Sequence, residues 1–338
     1  MPAYFETGFM VGKPAWHGLG NLIPEDEQLT VSAALKAAGL DWQVGLQPLQ
    51  VAKGGVHIEE SDGTRYDCTQ VKGLPGTDVS HRCTVRLSDN KILGVVGPNY
   101  RPYQNVQAFD WFQPFLDKDE AAFHTAGSLY GGAVVWVLAK LNRTPMKIVK
   151  GDEVQKFLLL TTSHDGSKAV KCGFSPIRVV CANTLAMAEA KGVSQLIKCK
   201  HGRRTGENLE ALRETINVVN QSFEATAEQF RALGKRQISS KDLEKYVKIV
   251  LDIKDADVKK KGSKRQGQID KITELFENGH GSKIKAARGT WWAAYNAVTE
   301  WLSYERGHKP ETRLTSLWYG DSSKMSKRAL TEALKVAA

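Results

Sequence analysis

The sequence has no apolar run near the ~18–20 residues that a membrane-crossing helix needs. Its start, Met1 to Gly12, lacks a basic stretch followed by an apolar one, so no secretory leader is expected. The expected compartment is the cytosol. Nucleotide loops are missing too. There is no GxxxxGK followed by Ser or Thr, and no GxGxxG after a strand. Gly12-Lys13 and Gly262-Ser263-Lys264 lack the spacing that lets backbone amides cradle phosphates. A P-loop motor or recombinase is excluded on that ground. Cysteine is scarce: Cys68, Cys83, Cys172, Cys181 and Cys199 are odd in number and form no CxxC pair. That argues against a disulfide framework or a zinc ribbon and for reduced, partly buried thiols. No HExxH occurs, and neither Cys199 with His201 nor His164 with Asp165 supplies the three or four ligands of a tight metal site.

What is present is an ordinary globular composition, 41% hydrophobic and 25% charged over 338 residues. Collagen, coiled coil and general disorder are excluded. The charge is uneven. Residues 1–190 hold 18 Lys+Arg against 19 Asp+Glu, a net of −1; residues 191–338 hold 29 against 18, a net of +11, and the two sum to the chain's +10. Such asymmetry points to a polyanion partner, nucleic acid above all.

The pattern divides the chain into an arm with a short helix (1–40), a β-rich core (41–190) and a basic helical region (191–338). The arm, rich in Gly, Pro and aromatics, leads to a helix capped by Thr30 and ended by Gly39. Strands are expected over Trp42–Val51 and Ala133–Leu141. Hairpins are expected at Cys83–Leu87 with Ile92–Val96, and at Phe157–Thr162 with Lys168–Phe174 around Asp165-Gly166. Asn105 is expected to cap a helix to about Phe112, and Asn183–Ala190 reads as helical. Leu209, Leu212, Ile216, Val219, Phe223 and Phe230 form one apolar stripe of a long helix opening at Thr205. Further helices are expected from Ser239 or Ser240, over Gln268–Glu277, from Thr290 and from Ser326. Strands first and helices second give an α+β class: an N-terminal, mainly antiparallel sheet region followed by a helical C-terminal region.

Catalytic readings are thin. Ser163-His164-Asp165 are neighbours, whereas triad members meet through the fold. Glu59-Glu60 and Asp117–Glu120 are carboxylate clusters that a magnesium-dependent nuclease would use, and they equally suit acidic turns. Trp16-His17 reads as a stacking pair or as a core plug. No catalytic residue and no cofactor are called for. The basic features carry more. Lys198, Lys200, Arg203 and Arg204 fall within seven residues, and the run Lys259-Lys260-Lys261-Gly262-Ser263-Lys264-Arg265 surrounds a Gly-Ser pair. Each cation can neutralise a phosphate and release a counterion. Neither cluster sits on a helix-turn-helix or zinc finger, so a basic loop along a strand backbone is favoured over a major-groove reader. Trp291 is the candidate for stacking on an unpaired base, and Arg178 is a candidate where sheet meets helix.

Three segments carry a family resemblance: Trp16-His17-Gly18-Leu19-Gly20, Ser175-Pro176-Ile177-Arg178-Val179-Val180-Cys181-Ala182-Asn183-Thr184-Leu185, and Gly289-Thr290 through Tyr295-Asn296-Ala297-Val298-Thr299-Glu300. Together they resemble the phage/plasmid-like protein family, a domain-of-unknown-function group of phages, prophages and plasmids. The resemblance spans nearly the whole chain and implies a mobile-element setting, without a reaction or catalytic residues. In broad style the chain is also similar to phage single-strand annealing proteins. That analogy implies ATP-independent binding and annealing of single-stranded DNA in recombination, with duplex DNA as a second ligand, a homo-oligomeric ring or filament, and no membrane. The alternatives are a metal-dependent nuclease or nucleotide-modifying enzyme, and a protein-interaction module that inhibits a host defence complex.

Overall fold

β-Branched and aromatic runs alternate with Gly, Asn and Asp turns through the first half of the chain, and there they build strands. A computed structural model describes residues 5–12, 19–50, 57–59, 65–67, 78–142, 145–178, 197–258, 263–307, 313, 316–317 and 320–337. Strands are β1 (Phe5–Val11), β2 (Asn21–Ile23), β3 (Val44–Gln50), β4 (His57–Glu59), β5 (Arg65–Asp67), β6 (Asp78–Arg86), β7 (Lys91–Val96), β8 (Ala121–Leu129), β9 (Val134–Leu141), β10 (Met146–Val149), β11 (Asp152–Ser163), β12 (Val170–Arg178) and β13 (Ile197–Cys199). The large sheet runs β13-β12-β11-β9-β8-β1-β2, with β10 also on β11; β3-β6-β7 and β4-β5 form separate sheets. Pairing is antiparallel except between β1 and β2. The expected α+β class and the order of sheet before helices hold.

Short helices α1 (Val31–Ala37), α2 (Asn105–Asp110) and α3 (Gln113–Asp117) sit among the strands. The basic half folds into α4 (Thr205–Lys235), α5 (Ser240–Leu251), α6 (Asp255–Val258), α7 (Lys264–Asn278), α8 (Trp291–Glu300) and α9 (Asp321–Ala337). Among the described residues no helix is long and apolar enough to cross a membrane.

β9 is buried along its length except at Lys140, which marks the middle of the core. On it and β11 packs α2, and α4 runs against β10, β12 and β13. Two indoles tie the helices to one another and to the sheet. Trp111 Nε1 donates to the Leu209 carbonyl at 2.9 Å, and Trp292 Nε1 donates to the buried Asp152 carboxylate at 2.7 Å. Hydrogen bonds to a buried charge contribute about 1.5–3 kcal/mol. Trp292→Phe should therefore lower unfolding stability by about 2 kcal/mol with little change in fold. A denaturant midpoint equal to wild type would sink this assignment.

The extended arm supplies β1 and β2 to the large sheet. Several expectations need correction. Asn105 does not cap α2. Gln104 precedes the helix, its backbone N–H bonded to Gln107 Oε1 at 2.9 Å, while buried Asn105 donates inward to the Leu40 and Trp42 carbonyls. The physical reason is burial: an Asn with fixed tertiary acceptors cannot also close the helix end. No helix is expected just beyond Phe112, yet α3 forms there with Pro114 in its first turn, where its missing N–H costs nothing. Helix α7 begins at Lys264, four residues early, on a Ser263 cap, and α9 begins at Asp321, five residues early. The helix expected at Asn183–Ala190 lies outside the described residues.

Two glycines fix close approaches. A Cβ on Gly20 would stand 2.7 Å from the Gly8 carbonyl oxygen, so the last residue of the Trp16–Gly20 motif must be bare for β1 to pass. A Cβ on Gly94 would stand 2.6 Å from Asp165 Cα, where the small β3-β6-β7 sheet meets the β11–β12 turn.

Candidate nucleic-acid interface

β13 is a three-residue edge strand on β12, and its period of two sorts its side chains. Cys199 points into the core, so Lys198 and Lys200 both face solvent. The chain then turns into α4. The Thr205 hydroxyl accepts the Gly202 N–H at 2.8 Å and lies 2.9 Å from both the Lys200 and Gly202 carbonyl oxygens. That knot holds Arg203 and Arg204 outward at the start of a 31-residue helix, whose N-terminal dipole adds to their positive potential. Lys198, Lys200, Arg203 and Arg204 are all exposed, and none has an ion-pair partner among the described residues.

Beside this corner lies an open cleft of about 380 Å³, lined by Gly97-Pro98-Asn99-Tyr100, Gly166 to Ala169, Lys200 and His201. The His201 ring stacks on Tyr100 at 4.7 Å and 28°, its Nε2 bonds the Lys168 carbonyl at 3.1 Å, and Tyr100 OH donates to the Ser163 carbonyl at 2.7 Å. Burial lowers the His201 pKa; the carbonyls of Lys168 and Arg101 and the Asp165 carboxylate oppose that shift without reversing it. Neutral His201 thus serves as a rigid wall. Burial likewise raises Tyr100 above the ordinary phenol range, so it stays a donor. The cleft combines turn backbone, an aromatic wall and ammonium groups, a chemistry that suits a phosphorylated, planar ligand.

The other candidates separate. Lys264 and Arg265 are exposed but stand in the first turn of α7, with Arg265 close enough to Arg306 to lower its pKa, after burial. They belong to a helix start, not to a loose loop. Lys259, Lys260 and Lys261 lie outside the described residues. Arg178 ends β12 opposite Val154, and only its backbone is described. Trp291 is half-buried, packed against the core with its ring edge-on to Tyr246 at 5.4 Å, so part of the indole is covered. The stripe of α8 and the need to cover Tyr246 explain why.

The three resemblance segments are largely structural where described. Gly289 has φ of +70°, Thr290 caps α8 through Ala293 N–H at 3.2 Å, and Trp292 through Glu300 are all buried. Trp16, His17, Gly18 and Val179 to Leu185 lie outside the described residues. Ser163 Oγ is occupied by the Lys168 backbone, donating and accepting at 3.0 Å, and His164 is buried, so these two neighbours of Asp165 form no exposed catalytic group. Asp117 and Asp119 accept from Gln113 and Asn142, as acidic turns do. Among the described residues no group of three or more His, Cys, Asp or Glu could hold a metal ion. Cys83, Cys172 and Cys199 are buried free thiols, and burial pushes Cys172 up to about 12.

Sequence reasoning missed Tyr100, Lys168 and His201. The signal available was two turns, at Gly97-Pro98-Asn99 and Asp165-Gly166, with nothing local to say that they meet. A family model described as Domain of unknown function (DUF932) matches residues 92–318. No curated protein matches, and no solved structure does.

Proposed function

The chain belongs to the DUF932 family, a domain of unknown function, and from its own surface we propose that it binds and anneals single-stranded DNA without ATP, as a homo-oligomer in phage or plasmid recombination. One observation carries the reading: four exposed cations, none ion-paired among the described residues, stand at the β13–α4 corner beside a cleft walled by Tyr100 and His201. Lys198, Lys200, Arg203 and Arg204 hold successive phosphates, and the gain is counterion release. Contacts confined to the backbone leave base edges free to meet a complement, and base pairing then drives the reaction. No hydrolysed nucleotide is needed in such a scheme.

The test is a titration of fluorescent single- and double-stranded oligonucleotides across salt, with and without magnesium, followed by complementary-strand annealing without ATP. Tighter binding to the single strand, a steep salt slope, faster annealing and intact oligonucleotides are expected. Absence of binding near ~50 mM salt, where electrostatic affinity is high, overturns the proposal. Cleavage that requires magnesium replaces it with the nuclease reading.

A further inference from the structure

Both sheets end in strands that are unpaired on their outer side among the described residues. β2 pairs only β1, and β7 pairs only β6. Open edges carry a row of backbone donors and acceptors that another strand can complete.

Both edges are also apolar where soluble proteins ordinarily blunt them. Leu22 at the centre of β2 is 54% exposed. On β7, Ile92 is 66% and Val95 57% exposed. These two residues are three apart, yet a register shift places Ile92 opposite Val85 and Val95 opposite Cys83. Val85 and Cys83 are two apart on β6, so Ile92 and Val95 share one face of the small sheet. The bulge thus gathers two large apolar side chains at the same edge.

The charges beside the two edges are opposite. β2 runs into exposed Glu25, Asp26 and Glu27, none of them ion-paired among the described residues. Beside β7 stand exposed Arg82, which faces Val96 in the ladder and has no ion-pair partner among the described residues, and Lys91, which shares Glu6 with Arg86. The hairpin carboxylate Asp89 is neutralised by Arg86 at 2.7 Å. The acidic edge and the basic edge therefore complement each other on two copies.

We infer that copies of this chain associate head to tail, the β2 edge of one adding to the β7 edge of the next. Such a contact is heterologous, and its repetition gives a ring or an open filament. The inference deepens the assembly half of the proposed function, and it is tested without DNA so that the two can fail separately.

The test uses the full chain and mass measurement over a concentration series. Wild type should grow in mass with concentration. Leu22→Lys should be monomeric, and so should Ile92→Lys combined with Val95→Lys. All three side chains are exposed, so both variants should keep the wild-type circular dichroism and melting temperature. Mixing the two variants leaves one live edge on each, and a one-to-one dimer with nothing larger is expected. A wild type that stays monomeric overturns the inference, as do variants that assemble like wild type, or a mixture that remains monomeric. Failure here with salt-sensitive DNA binding intact removes the interface and leaves the DNA reading standing.

Discussion

Replacing Lys198, Lys200, Arg203 and Arg204 together with Gln should weaken single-strand binding roughly 10³-fold near ~50 mM salt. The arithmetic follows from counterion release. Each phosphate contact on a single strand contributes about 0.7 to the slope of log K against log salt, so four contacts contribute about 3. At ~50 mM salt each such contact is worth a little under one decade of affinity, which gives the stated loss. The variant should retain its melting temperature, because all four side chains are exposed and unpaired among the described residues. Lys324→Gln with Lys335→Gln is the control: those ammonium groups already sit on Asp321 and Glu332 at 3.2 and 2.7 Å. The control should leave the slope near wild type. A quadruple variant that keeps the wild-type slope would mean that the phosphates lie elsewhere, and the reading would fall.

The second large effect is acid lability. His164 is fully buried, and both amide N–H bonds of Asn105 are used on the Leu40 and Trp42 carbonyls. The Asn105 oxygen therefore accepts from His164 Nε2 at 2.9 Å, which leaves His164 Nδ1 bare and without a partner among the described residues. A second proton has nowhere to go. Burial pushes His164 down to about 3, with His201 nearby adding to the shift and Asp165 opposing it. Burial also pushes His124 down to about 4, helped by Lys140. Both values lie below the ~6.5 of an unfolded histidine. The unfolded chain therefore takes up protons first as pH falls. The stability these two groups contribute is complete above pH ~6.5 and is lost progressively below it, until the folded values are reached. Each group costs about 1.4 kcal/mol per pH unit over that interval, so roughly 5 kcal/mol should be gone by pH ~4.5. That is a large part of the 5–15 kcal/mol typical of a folded protein. Urea melts at pH 7.5 and 4.5 measure the loss, and His164→Gln should flatten the pH slope by about one proton. An unchanged slope in that variant would show that His164 is already charged or already exposed in the fold.

The sheet was readable because its signals are local. Asp165-Gly166 and the turn at residues 88–90 punctuate β-branched runs, and burial on both sides of β9 shows as an almost unbroken apolar stretch. Helix starts at Ser239 and Thr290 were readable for the same reason, since a hydroxyl that caps a helix acts within three residues. The site was only half readable. Lys198, Lys200, Arg203 and Arg204 fall within seven residues and announce themselves by charge. The wall formed by Tyr100 and His201 is not contiguous: it exists because β13 pairs with β12 and carries His201 back to the Lys168 carbonyl, a tertiary event with no local mark. Trp291 is hard to read for the converse reason. Its neighbours follow helical spacing, but whether a flanking indole is covered depends on Tyr246, from a helix more than forty residues away.

Gly94 touches the main chain at Asp165 with no side chain of its own in between. The joint between the two sheets is thus keyed by backbone against backbone. A Cβ at position 94 would also meet Asp165 Cβ at 2.7 Å, and beside it Gly166 faces Val96, so the joint has no room for a larger residue there. Any side chain at position 94 would therefore push the small sheet off its seat beside the proposed strand-binding corner.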